Sequence, residues 1–284
     1  MKPGKNSRNL MDLIFAHIII GSFCLLCILP LLIVLSSSLS SEDALASNGY
    51  SVLPHNISFE AYAYVFKNPG QLINAYFISA SVSIVGMVLG VLLNSMIAYP
   101  LARKDFRFRN KISFYVFFTM LFSGGLVPWY ILIINLKLKD TFWVLVLPSM
   151  VAAWYILMLR TYFQTIPAAL IESAKIDGTS EFGTFFKIAL PLSKPALATV
   201  GLLLSFSYWN DYWLGLMFIS NKKLVSLQYM FYRIISNIQF YLNYASVFSG
   251  KSRNELPTES MKMALCVLTI APMLVFFHFF KNIW

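Results

Sequence analysis

Charge is scarce in this sequence. Asp, Glu, Lys and Arg make up 12% of its 284 residues, against roughly 25% in soluble domains, which excludes an ordinary water-facing globular surface. Cysteine and histidine are limited to three residues each, too few for a disulfide framework. His17, His55 and His278 are dispersed and form neither a triad nor a metal cluster. Cys24 and Cys27 stand one helical turn apart inside an apolar run, and Cys266 lies alone in another. Without further ligands or an accessible thiolate, they read as small buried hydrophobes. What fills the sequence instead is apolar: 58% hydrophobic residues and a mean hydropathy of +0.68, the composition of a polytopic membrane protein. The excess of ten positive charges could suggest nucleic acid, but it sits in loops between apolar runs, where it orients a membrane protein.

Crossing a bilayer in a helix takes about 20 apolar residues. Six segments meet that length: Leu13–Leu35, Leu72–Ala98, Ile112–Ile134, Thr141–Leu159, Ala196–Phe218 and Met261–Phe280. The expected fold is all-α, a single transmembrane domain over residues 1–284 with six spans and both termini on one side. The Arg103–Lys111 loop carries five Lys or Arg in nine residues, and Lys2, Lys5 and Arg8 precede the first span. Retained positive charge places these segments in the cytoplasm. Residues Arg160–Lys194 then also lie inside, with Ser36–Gln71 and Ile219–Ser260 outside. Lys222, Lys223, Arg233, Lys251 and Arg253 run against that bias, although long loops count less. The first apolar run, at about 23 residues, exceeds the 7–15 of a signal peptide and reads as a retained helix.

The cytoplasmic island Ile166–Leu192 is amphipathic and partly charged. It reads as two short helices, the first capped by Thr165 with Pro167 in its opening turn and Gly178 at a left-handed C-terminal position. Thr179 or Ser180 restarts a second helix that Pro191 ends. Phe182, Phe185, Phe186 and Ala189 fall at i, i+3, i+4 and i+7, giving one apolar face. Such a face can lie on a membrane or against a partner.

Glu172, Ala174, Gly178, Ile188, Leu190 and Pro191 keep the spacing of the EAA loop, so the segment resembles that of permease subunits of bacterial ABC importers. In that family the loop joins two membrane helices on the cytoplasmic side, and its short helix docks into a groove on the ATPase subunit. Ser173 stands where the family usually has Ala. The resemblance implies a coupling-helix loop between the fourth and fifth spans. Its contacts would be Leu170, Ile171, Glu172, Ser173, Ala174, Asp177, Gly178, Ile188, Leu190 and Pro191, with Ala174 keeping the docking surface low. It implies as partners a second homologous permease subunit, two ATPase subunits that bind ATP and Mg, and an extracytoplasmic solute-binding protein. The chain itself would be a transport subunit of the bacterial plasma membrane, with no catalytic residue, cofactor or metal of its own.

Tyr208-Trp209-Asn210-Asp211-Tyr212-Trp213 resembles the W-N-D-Y stretch of carbohydrate-type permeases, the class that includes the second maltose permease subunit. Phe122-Ser123-Gly124-Gly125-Leu126-Val127-Pro128 resembles a stretch of the subgroup associated with oligosaccharide and polysaccharide import. Trp209, Asn210, Asp211 and Tyr212 lie near the outer end of their span and could stack on and hydrogen-bond a sugar; an interfacial aromatic belt is the alternative. Gly124, Gly125 and Pro128 interrupt the third span, either to line a cavity or as a kink. Ser79, Ser83, Gly86, Gly90 and Asn94 form a small, partly polar stripe that serves either helix packing or the solute path.

Ala245–Ser252 satisfies a loose phosphate-loop pattern, but no buried strand precedes it and Pro257 soon follows, so nucleotide binding falls to a partner. The outer segment Ser236–Gly250 either enters the binding protein, as a loop of maltose-type relatives does, or lies over the outer vestibule. The sequence stops at Phe279–Trp284, where most carbohydrate permeases continue into a basic, Gly-rich tail. A permease for a non-sugar solute and a stand-alone secondary transporter are the alternatives. The second would be expected to show midplane ionisable groups and often an internal repeat.

Overall fold

The computed structural model describes residues 5–248 and 258–281. Lys2, Lys251, Arg253, Pro257 and Asn282–Trp284 lie outside them, as does the Ser249–Ser252 end of the phosphate-loop-like pattern. By internal contacts the chain divides into two compact units, Met1–Pro69 with Ile235–Ala271 and Gly70–Ile234 with Pro272–Trp284.

The first unit opens with α1 (Lys5–Ser38), where Leu25, Leu26 and Phe23 are about 70% exposed. The apolar stretch of this helix is unburied within the chain, which suits lipid contact, whereas its end at Ser36–Ser38 is buried. Two short helices follow, α2 (Glu42–Asn48) and α3 (Glu60–Val65). The Glu42 carboxylate accepts from the Thr258 hydroxyl at 2.8 Å, the Glu259 N–H at 2.9 Å, and the Ser260 N–H and hydroxyl at 3.1 and 2.9 Å. Burial works against ionisation of Glu42, but these hydrogen bonds outweigh it and hold the carboxyl below its ordinary range.

The second unit begins with α4 (Pro69–Ala102), an unbroken helix over the second expected span. The third expected span is two helices, α5 (Arg109–Leu121) and α6 (Leu126–Asn135), bent by 112°. The break lies at Phe122–Gly125, where Gly125 adopts φ +86°, a conformation that excludes most side chains. The fourth is 3₁₀ turns at Phe142–Leu145 and Leu147–Ser149, then α7 (Ala153–Phe163), bent by 52°. Pro148 lacks the N–H a regular helix would need there.

The island contains α8 (Ala168–Ile176), α9 (Glu181–Thr184), a π turn over Phe185–Ala189 and α10 (Leu190–Leu192). It then bends by 82° into α11 (Lys194–Trp209). The fifth expected span is interrupted at Asn210–Tyr212 before α12 (Trp213–Phe218). Part of the expected outer loop is instead a helix, α13 (Leu227–Phe248), followed by α14 (Thr258–Lys281). Among the described residues, two helices are long and apolar enough to cross a membrane, and three bent pairs raise the number to five.

Close packing in the second unit runs along the small stripe of α4. A β-carbon at Gly86 would run into the Tyr208 ring, which is pinned because its hydroxyl donates to the Val146 carbonyl at 2.8 Å. Asn94 is fully buried: its amide donates to the carbonyls of Gly90 at 2.6 Å and Met150 at 2.9 Å, and its carbonyl accepts from the Ala152 N–H at 3.2 Å. One side chain thereby satisfies backbone groups freed where the fourth span departs from α-helix.

Candidate functional site

The island helix α8 ends in a Schellman turn. The Thr179 N–H donates to the Ala174 carbonyl at 2.9 Å and the Gly178 N–H to the Lys175 carbonyl at 3.0 Å, with Gly178 at φ +75°. Ser180 then caps α9, its hydroxyl accepting from the Gly183 N–H at 3.1 Å. Thr165 does not cap α8. Its hydroxyl donates back to the Tyr162 carbonyl at 2.7 Å, closing α7, and Pro167 occupies the N-cap position.

On α8, Leu170, Glu172, Ser173 and Asp177 are exposed, as is Ile176 at 86%. Ile171 is half-buried and Ala174 is 5% exposed. The small side chain of Ala174 is therefore packed within the chain. Ile176 is the most exposed apolar group of the island and has no place in the family pattern.

The expected apolar face of the second island helix is split. Phe185 and Ala189 are buried, whereas Phe182 and Phe186 are exposed. The π turn at Phe185–Ala189 carries the chain past Pro191, which cannot donate a helical N–H, and shifts the register. The helix runs through Pro191 and stops at Leu192, leaving Ile188 and Leu190 half-buried and Pro191 exposed. Phe185 packs against Tyr99 of α4 and Phe163 of α7, with ring centroids 5.3 and 6.5 Å apart.

A charge cluster joins the island to the end of α4. Arg103 pairs with Asp105 and, at 2.6 Å, with Glu181; Lys175 pairs with Asp105 at 3.1 Å and Glu181 at 3.2 Å. The hydrogen bond from Arg103, joined by one from Lys175, holds the Asp105 carboxyl down at about 2, and the same contacts raise both cations. In the sequence, Arg103 counts only as part of a topological charge cluster. The alternation of sign in Arg103-Lys104-Asp105 was the available signal.

The residues expected along a solute path fall into two groups. Ser79 and Ser83 are buried, and Ser79 accepts from the Leu227 N–H at 2.8 Å, so with Asn94 they belong to packing within the chain. Trp209 is 2% exposed, 6.4 Å from the Tyr76 ring. Gly124, Gly125 and Asp211, by contrast, line one cavity of about 720 Å³ together with Trp129 and Trp213, neither of which the sequence singled out for this role. Asp211 caps α12 by accepting from the Leu214 N–H at 3.0 Å. Asn210 accepts from the Gln228 amide at 3.2 Å, and Tyr212 stacks on Tyr232 at 5.0 Å. A cavity walled by indoles and a carboxylate can stack on and hydrogen-bond a polar solute.

Comparison with known proteins agrees with this architecture. Residues 86–283 match the family described as binding-protein-dependent transport system inner membrane component. The chain is 34% identical over 263 residues to the polygalacturonan/rhamnogalacturonan transport system permease protein YtcP of Bacillus subtilis (strain 168), covering 92% of this chain and 90% of that protein. It is 29% identical over 259 residues to the arabinooligosaccharides transport system permease protein AraQ of Halalkalibacterium halodurans, covering 90% and 87%. Among solved structures, a chain of a bacterial ABC transporter involved in the import of the acidic polysaccharide alginate superposes with a TM-score of 0.80 at 25% identity, over 99% of both chains.

Proposed function

The chain belongs to the family of binding-protein-dependent transport system inner membrane components, and from that premise we propose that it moves an oligosaccharide across the membrane by alternating access driven by partner ATPases. As a member it is a multi-pass permease subunit of an ABC importer and not itself the ATPase. The saccharide class is supported by relatives named for oligo- and polysaccharides.

In the reading we favour, α1, α4, the bent pair α5 and α6, the 3₁₀ turns with α7, α11 with α12, and α14 make six spans with both termini in the cytoplasm, and residues 160–194 form the coupling loop. The assembly contains a second homologous permease, two ATPase subunits holding ATP and Mg, and an extracytoplasmic binding protein. The observation that carries it is the island's geometry. Its outer face offers Leu170, Glu172 and Ile176, while its inner face is fixed by the Phe185 aromatic contacts and the Arg103 cluster. An element exposed on one side and rigidly held on the other can pass a push from a soluble partner into the helices behind it. The cavity bearing Asp211, Trp129 and Trp213 is the candidate contact with solute.

The test is purification of the native complex followed by uptake into proteoliposomes with a panel of oligosaccharides. A stoichiometric ATPase subunit and ATP-dependent uptake of one saccharide class are expected. A chain that purifies without an ATPase and transports alone would sink the proposal.

A further inference from the structure

Among the described residues of the second unit, Arg109 and Arg160 are half-buried cations whose guanidinium groups the fold leaves without a partner. Arg109 opens α5 and Arg160 lies in the last turn of α7, and these two helices pack together. The Nε of each is buried without a hydrogen-bond partner, and among the described residues neither arginine has a carboxylate within ion-pair distance. Partial burial and the nearby Arg109 charge both disfavour the charged form of Arg160. The adjacent Arg103 and Lys175, by contrast, are fully paired. Two guanidinium groups held together without an acceptor are the arrangement that an anion with several oxygens completes.

Their place in the chain says which anion. Both sit where spans meet the cytoplasm in the topology proposed above, the level of lipid headgroups in the leaflet whose surface is negative. Arg109 also borders a cavity of about 750 Å³, shared with Lys104, Gln164 and Thr165, which gives a headgroup room to enter. The carboxylates on that cavity are Asp105, taken by Arg103 and Lys175, and Glu172 on α8.

We propose that Arg109 and Arg160 together bind the phosphate of an anionic phospholipid of the cytoplasmic leaflet, where the ends of α5 and α7 pack together. The lipid would neutralise their repulsion and fix the base of the third and fourth spans beside the island. This rests on the proposed topology.

The test is thermal unfolding of the detergent-purified complex, with its partner subunits, titrated with phosphatidylglycerol, phosphatidylcholine or inorganic phosphate. Phosphatidylglycerol should raise the midpoint above the phosphatidylcholine value, and inorganic phosphate should not replace it. Arg109→Gln and Arg160→Gln should each abolish that difference, whereas Arg107→Gln, an exposed neighbour, should keep it. An undiminished difference in the double variant would overturn the proposal, and a full shift with inorganic phosphate would reassign the site to a free anion. A lipid effect that emerges only once the ATPase subunits are stripped away would give the arginines to an acidic group of the ATPase. Topology is tested separately by impermeant maleimide labelling of an Arg107→Cys variant, with the unsubstituted chain as blank. Labelling from the outside alone would defeat the topology reading, and labelling from the inside with no lipid effect would defeat only the lipid site.

Discussion

In the proposed coupling role, Gly178 matters more to drive than to fold. Its φ of +75° costs an alanine about 1 kcal/mol of local strain, yet an added β-carbon would meet, among the described residues, no atom within 4 Å beyond its two chain neighbours. The space beside it is therefore free for a partner. Gly178→Glu is expected to insert in the membrane at normal levels and abolish uptake; wild-type uptake would show that the island does not couple. In the same proposal the Arg103 cluster holds the island from the other side. Arg103→Glu should uncouple ATP hydrolysis from uptake, and adding Glu181→Arg should restore part of the ratio, because the 2.6 Å pair is re-formed with its signs reversed. Failure of the double variant to recover would mean that the pair is incidental. Asp105 sets the pH range of this cluster. Its folded pKa is depressed from 3.8 to about 2, so its contribution is present above the unfolded value and is lost only as pH falls through the folded one. Protection of island amides from hydrogen exchange, corrected for intrinsic rate, should be the same at pH 5 and pH 8. A drop at pH 5 would place the controlling group elsewhere.

At the scale of elements, the sequence is informative about where apolar segments lie and much less about how they bend. Hydropathy sums over a window, so Ile112–Ile134 reads as one span, although the structure turns by 112° between α5 and α6. The cause was visible in the residues, since Gly124 and Gly125 were already identified as an interruption. Hydropathy could not weigh a left-handed glycine against twenty apolar neighbours. The apolar face of the second island helix failed for a different reason: a 3.6-residue period presumes α geometry, and the π turn at Phe185–Ala189 breaks it, burying Phe185 but not Phe182. The long outer segment hid α13, because its mixed polar and apolar residues give no apolar run of spanning length. The break between α5 and α6 carries its own prediction. Gly125→Val places a β-branched residue at φ +86° on the wall of the 720 Å³ cavity. Uptake per folded molecule should fall at least tenfold, whereas Gly124→Ala should be tolerated. Equal effects of the two would mean that the break only relieves packing.

At the scale of the whole molecule, the exposed island face and the indole-walled cavity belong to one compact unit, Gly70–Ile234 with Pro272–Trp284, with α4, α7 and α11 as its frame. In the proposed coupling, a push on α8 would reach α4 through Arg103 and Asp105 and would reach α4 and α7 through Phe185. At the far end, the Tyr208 ring of α11 lies in the Gly86 notch of α4. Discrete contacts of this kind shift as units, which suits a two-state path better than gradual deformation. Traffic should therefore run both ways: loaded binding protein arriving outside should stimulate hydrolysis inside, and Gly178→Glu should remove that stimulation while leaving the isolated ATPase unaffected. The measurement is ATP turnover in proteoliposomes with and without binding protein and saccharide. If the variant kept full stimulation but lost uptake, the signal would bypass the island, and the Arg103 cluster would have no part in carrying it.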